Sequence, residues 1–138
     1  MANTFTAPFV QVQKTGTAVV TAAAANIATD TPTNLQLLIT AGINGALINK
    51  ITAMPLATNT GASLLLYSSK DEGATYRLID SELMAAYTLA ATTAVPKTDF
   101  GNISLASYLR LEAGERLYVG SQVALAAGIV FRCEGADL

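Results

Sequence analysis

The chain has 138 residues, of which 51% are hydrophobic and only 13% charged, with a net charge of −2. A chain of this length makes one domain and can bury a core without metals or disulfides. Its eight Lys and Arg are spread along the sequence, so it lacks the basic stripe that nucleic-acid binding needs, and Gly, Pro or Asn interrupts every long uncharged span, which excludes a transmembrane helix.

From the N-terminus, residues 1–8 read as an arm and 9–138 as one β-sandwich domain, with no linker or composition break inside it. The first residues lack the charged start and unbroken apolar run of a signal peptide, so folding in a reducing cytoplasm is expected. Phe9–Gln13 alternates, with Val10 and Val12 on one face and the glutamines on the other. Thr15-Gly16 is expected to punctuate, and Thr17–Thr21 to form the next strand. Ala22–Ala25 is a small-residue patch suited to a single helical turn. Asp30–Asn34 reads as a loop, because Pro and short polar side chains favour turns. Leu35–Thr40 reads as a strand, and the Asn44-Gly45 pair beyond Gly42 predicts a type I′ turn. Ala46–Met54 follows as a strand that Pro55 ends or confines to an edge. Thr58–Gly61 is the next loop.

Ser63–Ile79 predicts a hairpin around the loop Asp71-Glu72-Gly73, with Gly73 left-handed. That register sets Leu66 opposite Leu78, Leu65 opposite Ile79 and Tyr67 opposite Arg77. Both faces are partly apolar, so one should line the core and the other touch a neighbour. Asp80–Tyr87 holds good helix formers, with Leu83, Met84 and Tyr87 on one side, but at most one turn is expected, followed by a strand over Tyr87–Val95. Val95–Asn102 reads as a long loop. Within LRLEAGERLYVG (Leu109–Gly120), a two-residue turn at Ala113-Gly114 would oppose Glu112 and Glu115, which like charges disfavour. The stretch is therefore either a bulged hairpin around Ala113-Gly114-Glu115 or, as favoured here, a corner between two sheets, with Arg110, Glu112, Glu115 and Arg116 facing solvent or making rim contacts. Gln122–Ala126 and Ile129–Glu134 predict one more strand pair around Gly128, essentially at the C-terminus. The fold class is therefore an all-β, antiparallel, jelly-roll-like sandwich with at most one short helical turn.

The chemistry-bearing residues are few. No histidine is present, so the commonest general base and neutral metal ligand are missing. Cys133, the one cysteine, has no internal disulfide partner and reads as a small buried hydrophobe in a strand. Asp80 and Glu82 can share a strand face and imitate a paired-carboxylate site. Without tryptophan, and with aromatics at 7%, there is little stacking surface for a sugar between them. The glycines form no phosphate-cradling spacing, and the Asp71 turn lacks a calcium loop's alternating ligands. These residues predict no catalytic, cofactor or metal site.

Three segments, NGALINKITAMPLAT (Asn44–Thr58), YSSKDEGATYRLIDSELMAAYTLAATTAVP (Tyr67–Pro96) and LRLEAGERLYVGSQVALAAGIVFRCEGADL (Leu109–Leu138), resemble a family of small virion proteins of tailed phages and prophages, similar to jelly-roll capsid decoration, or cement, proteins. The resemblance covers about two-thirds of the chain, and its motifs are structural. It implies a trimer on the outside of the mature head, clamping the major capsid protein, made in the host cytoplasm, with no enzymatic step, cofactor, nucleic acid or membrane. Candidate capsid or subunit contacts are Phe5, Pro8, Phe9, Tyr67, Arg77, Arg110, Glu112 and Arg116. The alternative is a jelly-roll module of a head or tail fibre that recognises a host surface ligand.

Overall fold

The computed structural model describes residues 12–138. In the first sheet, β1 (Val12–Val20) pairs with β9 (Ile129–Asp137), and β9 with β3 (Ala46–Pro55). The short strands β6 (Thr98–Asp99) and β7 (Leu109–Leu111) both pair with the far side of β3. The second sheet runs β2 (Gln36–Thr40), β8 (Arg116–Ser121), β4 (Ala62–Ser69), β5 (Arg77–Met84). Every pairing is antiparallel, and the described residues contain no helix.

Apart from two-residue β6, the pairings nest: β1 with β9, β2 with β8, β3 with β7, β4 with β5. The chain is one long hairpin folded on itself and rolled into two sheets, which is the jelly-roll connection. The expected all-β sandwich is therefore the fold. The corner at Ala113-Gly114 is also as expected, since β7 lies in one sheet and β8 in the other. Gly114 is left-handed there, and Glu115 N–H closes the turn on Glu112 C=O at 3.0 Å.

Strand alternation builds the core. β1 turns Gly16, Ala18 and Val20 inward and Thr15, Thr17 and Val19 outward. Ile48, Ile51 and Phe131 of the first sheet pack against Ile39, Leu64, Leu66 and Leu117 of the second, and Phe100 joins them. Cys133 is buried among them, as its composition suggested. Each such side chain contributes about 1.5–3 kcal/mol on burial.

Several local expectations are corrected. Gly16 does not punctuate: β1 runs unbroken from Val12 to Val20. Its hydrogen is needed where the carbonyl of Leu38, the bulged residue of β2, approaches; a Cβ would overlap that oxygen. Ala22–Ala25 is irregular rather than a helical turn, and Ala24 N–H donates to Ser121 C=O at 2.7 Å. Asn44-Gly45 is not a type I′ pair. Only Gly45 has positive φ, and its N–H bonds Gly42 C=O at 3.1 Å, because this turn joins two different sheets rather than a hairpin.

The β4–β5 hairpin forms, but in another register. Tyr67 faces Leu78, Ser68 faces Arg77 and Leu66 faces Asp80, with a bulge between. Asp71 organises the longer connection by accepting bonds from the Thr75 amide at 2.9 Å, its hydroxyl at 2.6 Å and the Ser69 hydroxyl at 3.0 Å. Those donors, the Thr75 hydroxyl foremost, lower its pKa to about 2. Glu72 and Gly73 are both left-handed.

The Asp80–Val95 reading holds in its non-helical start and fails in the strand expected over Tyr87–Val95. Pairing with β4 holds Asp80–Met84 extended against its helix propensity, whereas the Thr-rich stretch after Tyr87 has no partner strand and is exposed up to Ala94. Within the expected long loop, β6 pairs with β3. Gln122–Gly128 is a crossing between sheets, not a strand. The Ser121 hydroxyl bonds both Val123 N–H and C=O, taking them out of any ladder. β9 extends to Asp137 and lies between β1 and β3.

Candidate functional site

The two sheets differ in what covers their outer faces. On the second, Leu65 and Tyr67 of β4 and Tyr118 of β8 form a second apolar cluster. The chain's own Ala24, Ile27 and Leu35 lie over it, and Tyr76 stands edge-on to Tyr118 with ring centres 4.8 Å apart. Gly120 is part of this fit, because a Cβ there would press on Leu35 at 2.7 Å. The part of this face over Leu65, Tyr67 and Tyr118, expected to meet a neighbour, is thus covered by residues 22–35, while Leu83 at the β5 edge stays exposed.

This placement corrects one candidate contact directly. Tyr67 is 0% exposed, its hydroxyl donates to Ile27 C=O at 3.2 Å, and burial raises its pKa. It offers no surface to a partner. Arg77 is exposed on β5 and pairs with Asp30 of the covering segment. Arg110 is exposed and lies 5.8 Å from the centre of the Tyr108 ring. Glu112 is exposed at the corner and pairs with Lys70 at 3.3 Å, linking the corner to the β4–β5 connection. Arg116 folds onto its own chain, donating to Glu72 C=O at 3.3 Å and approaching the Tyr118 hydroxyl at 3.5 Å. Glu115, expected to face outward, is buried. It accepts bonds from the Ser68 hydroxyl and from Glu112 N–H, the latter at 2.9 Å, and so locks the corner. Phe5, Pro8, Phe9 and the arm of residues 1–8 lie outside the described residues. Glu112 and Arg116 thus meet on the β4–β5 connection, at Lys70 and Glu72.

The first sheet keeps an open groove of about 430 Å³ on its outer face. Gln13 and Thr15 of β1, Arg132 and Glu134 of β9 and Leu47 of β3 line it, with Leu105 and Tyr108 as one wall. Its charges are paired: Arg132 Nε lies 3.3 Å from Glu134, and Lys14 Nζ 3.2 Å from Asp137. Leu105 is raised into the open by a tight turn, in which the Ser104 and Ser107 backbones exchange hydrogen bonds of 3.1 and 3.2 Å. It is 82% exposed. Tyr108 also lines a second cleft of about 230 Å³ beside Ile79 and Asp80 of β5 and Asn102 of the segment after β6.

Sequence reasoning missed Leu105 and Tyr108. The available signal was a leucine flanked by Ser104 and Ala106 in a short Ser-rich turn segment outside any strand pattern. Asp80 and Glu82 do share a face, opposite Leu66 and Leu64. Only Asp80 lines the adjoining cleft, where it accepts a 3.4 Å bond from Asn102. Among the described residues no three His, Cys, Asp or Glu side chains are grouped to hold a metal ion. In comparisons with known proteins, no family model, no curated protein and no solved structure matches this chain.

Proposed function

We propose that the chain is a tailed-phage capsid decoration protein, which binds the outer surface of the mature head as a homotrimer and stabilises the shell by gripping the major capsid protein. The observation that carries this reading is the surface. Ile43 at a sheet corner is 90% exposed, Leu105 82% and Leu83 on the β5 edge 74%, in a chain only 13% charged. Apolar tips on a charge-poor surface suit burial against other protein, since interface cores are depleted of charge. The rolled sandwich supplies a rigid support for such tips. The three segments that resemble virion proteins point the same way, and the role requires no cofactor, metal or catalytic residue.

The test is the stoichiometry of purified particles by quantitative mass spectrometry. Decoration requires copies on the scale of the major capsid protein, together with binding of the isolated protein to expanded but not immature heads. A few copies per particle would replace this reading with the fibre module.

A further inference from the structure

The groove on the first sheet opens where β1 begins. Gln13 lines it, and eleven residues, MANTFTAPFVQ, precede Val12. None of those side chains is charged, and the groove's own charges are neutralised in pairs. What the groove offers is the apolar surface of Leu47, Leu105 and Tyr108, and what the segment offers is Phe5 and Phe9. Phe9-Val10-Gln11-Val12 contains no Gly, Asn, Asp or Pro, so the sequence favours an extended course out of β1 at least as far as Pro8. Eleven extended residues at about 3.3 Å each reach roughly 36 Å, enough to cross to a neighbouring subunit.

We propose that this groove receives the segment Met1–Gln11 of a second copy of the chain, with Phe5 and Phe9 seated against Leu47, Leu105 and Tyr108. The inference rests on the homotrimer reading and deepens it, by naming what holds the subunits together. Each copy gives its segment to the next, a head-to-tail contact that closes into a ring when the rotation allows. The bare face of the first sheet is then covered by a neighbour, as part of the second sheet's is covered by residues 22–35.

The experiment uses the full chain with two added cysteines, Leu105→Cys combined with Phe5→Cys or Phe9→Cys, under mild oxidation. Cys133 is buried and does not compete. Covalent oligomers on a non-reducing gel are expected. The single variant Leu105→Glu should weaken self-association about tenfold or more in sedimentation. A disulfide closed within one chain overturns the exchange, and so does an oligomer that Leu105→Glu leaves unchanged; neither outcome touches the trimer reading. An unmodified chain that sediments as a monomer at every concentration overturns both.

Discussion

Gly16 shows how much a single hydrogen atom decides. It sits inside β1, opposite Cys133 and beneath the Leu38 carbonyl, which occupies the place of its missing Cβ. Gly16→Ala is expected to cost about 1–3 kcal/mol in urea unfolding, because sheet and bulge must part to admit the methyl. Gly101→Ala, with nothing within 4 Å of the new carbon, should stay within about 0.5 kcal/mol. Neither result is visible in sequence, where both glycines look like punctuation. Cys133, by contrast, was legible: a lone cysteine in a strand, two residues on from Phe131 and so on its face, reads as core, and it is. Burial pushes its thiol up to about 11 from the ordinary 9.0. A raised pKa means that its contribution is intact below pH 9 and lost as pH rises toward 11. Stability should therefore fall across that window. Cys133→Ala should flatten the fall, leaving only the part due to Tyr67 and Tyr76, whose pKa values burial also raises.

At the scale of elements, the pattern of apolar runs between turn signals found β2, β3 and β4, the last as a run apolar on both faces. It misplaced the β4–β5 register first at the connection, which is longer than a three-residue loop and so sets Ser68 rather than Tyr67 opposite Arg77, and again at the bulge between Leu66 and Tyr67, which moves Leu66 on to Asp80; no residue type announces a bulge. It also read the outer face of β4 as a contact surface. Sequence pattern says that Leu65 and Tyr67 face one way, but not that residues 22–35 return to cover them. That cover has a measurable role. Ile27→Asp should lift the segment, lower stability by about 2 kcal/mol and raise binding of an apolar dye. Unaltered unfolding and no dye binding would show that the segment merely rests there.

The whole molecule is set by nested pairing. β1 closes only against β9, and β9 must slide between β1 and β3. Such long-range closure makes folding slow, so refolding from urea should occur in roughly the millisecond-to-second range, with the burial of Tyr67 as a probe. Submillisecond refolding would contradict this order of events. The Lys14–Asp137 pair, with Gly42 N–H bonded to Asp137 at 3.0 Å, fastens the last strand to the first and to the β2–β3 corner. The candidate contacts were read one by one along the chain, and the fold ties three of them within the subunit: Arg77 to Asp30, and Glu112 and Arg116 to Lys70 and Glu72 of the same β4–β5 connection.

By itself the sequence determined the class of fold, the buried cysteine and the change of sheet at Ala113-Gly114, since period-two alternation, turn residues and like-charge repulsion are local and act wherever the chain goes. Tertiary structure alone decided which faces are covered, that Glu115 and Tyr67 lie inside, and that Leu105 and Tyr108 wall an open groove. Those outcomes depend on which distant segment arrives above a given side chain, and that is fixed by the order in which the strands nest, not by the residues on either side of it.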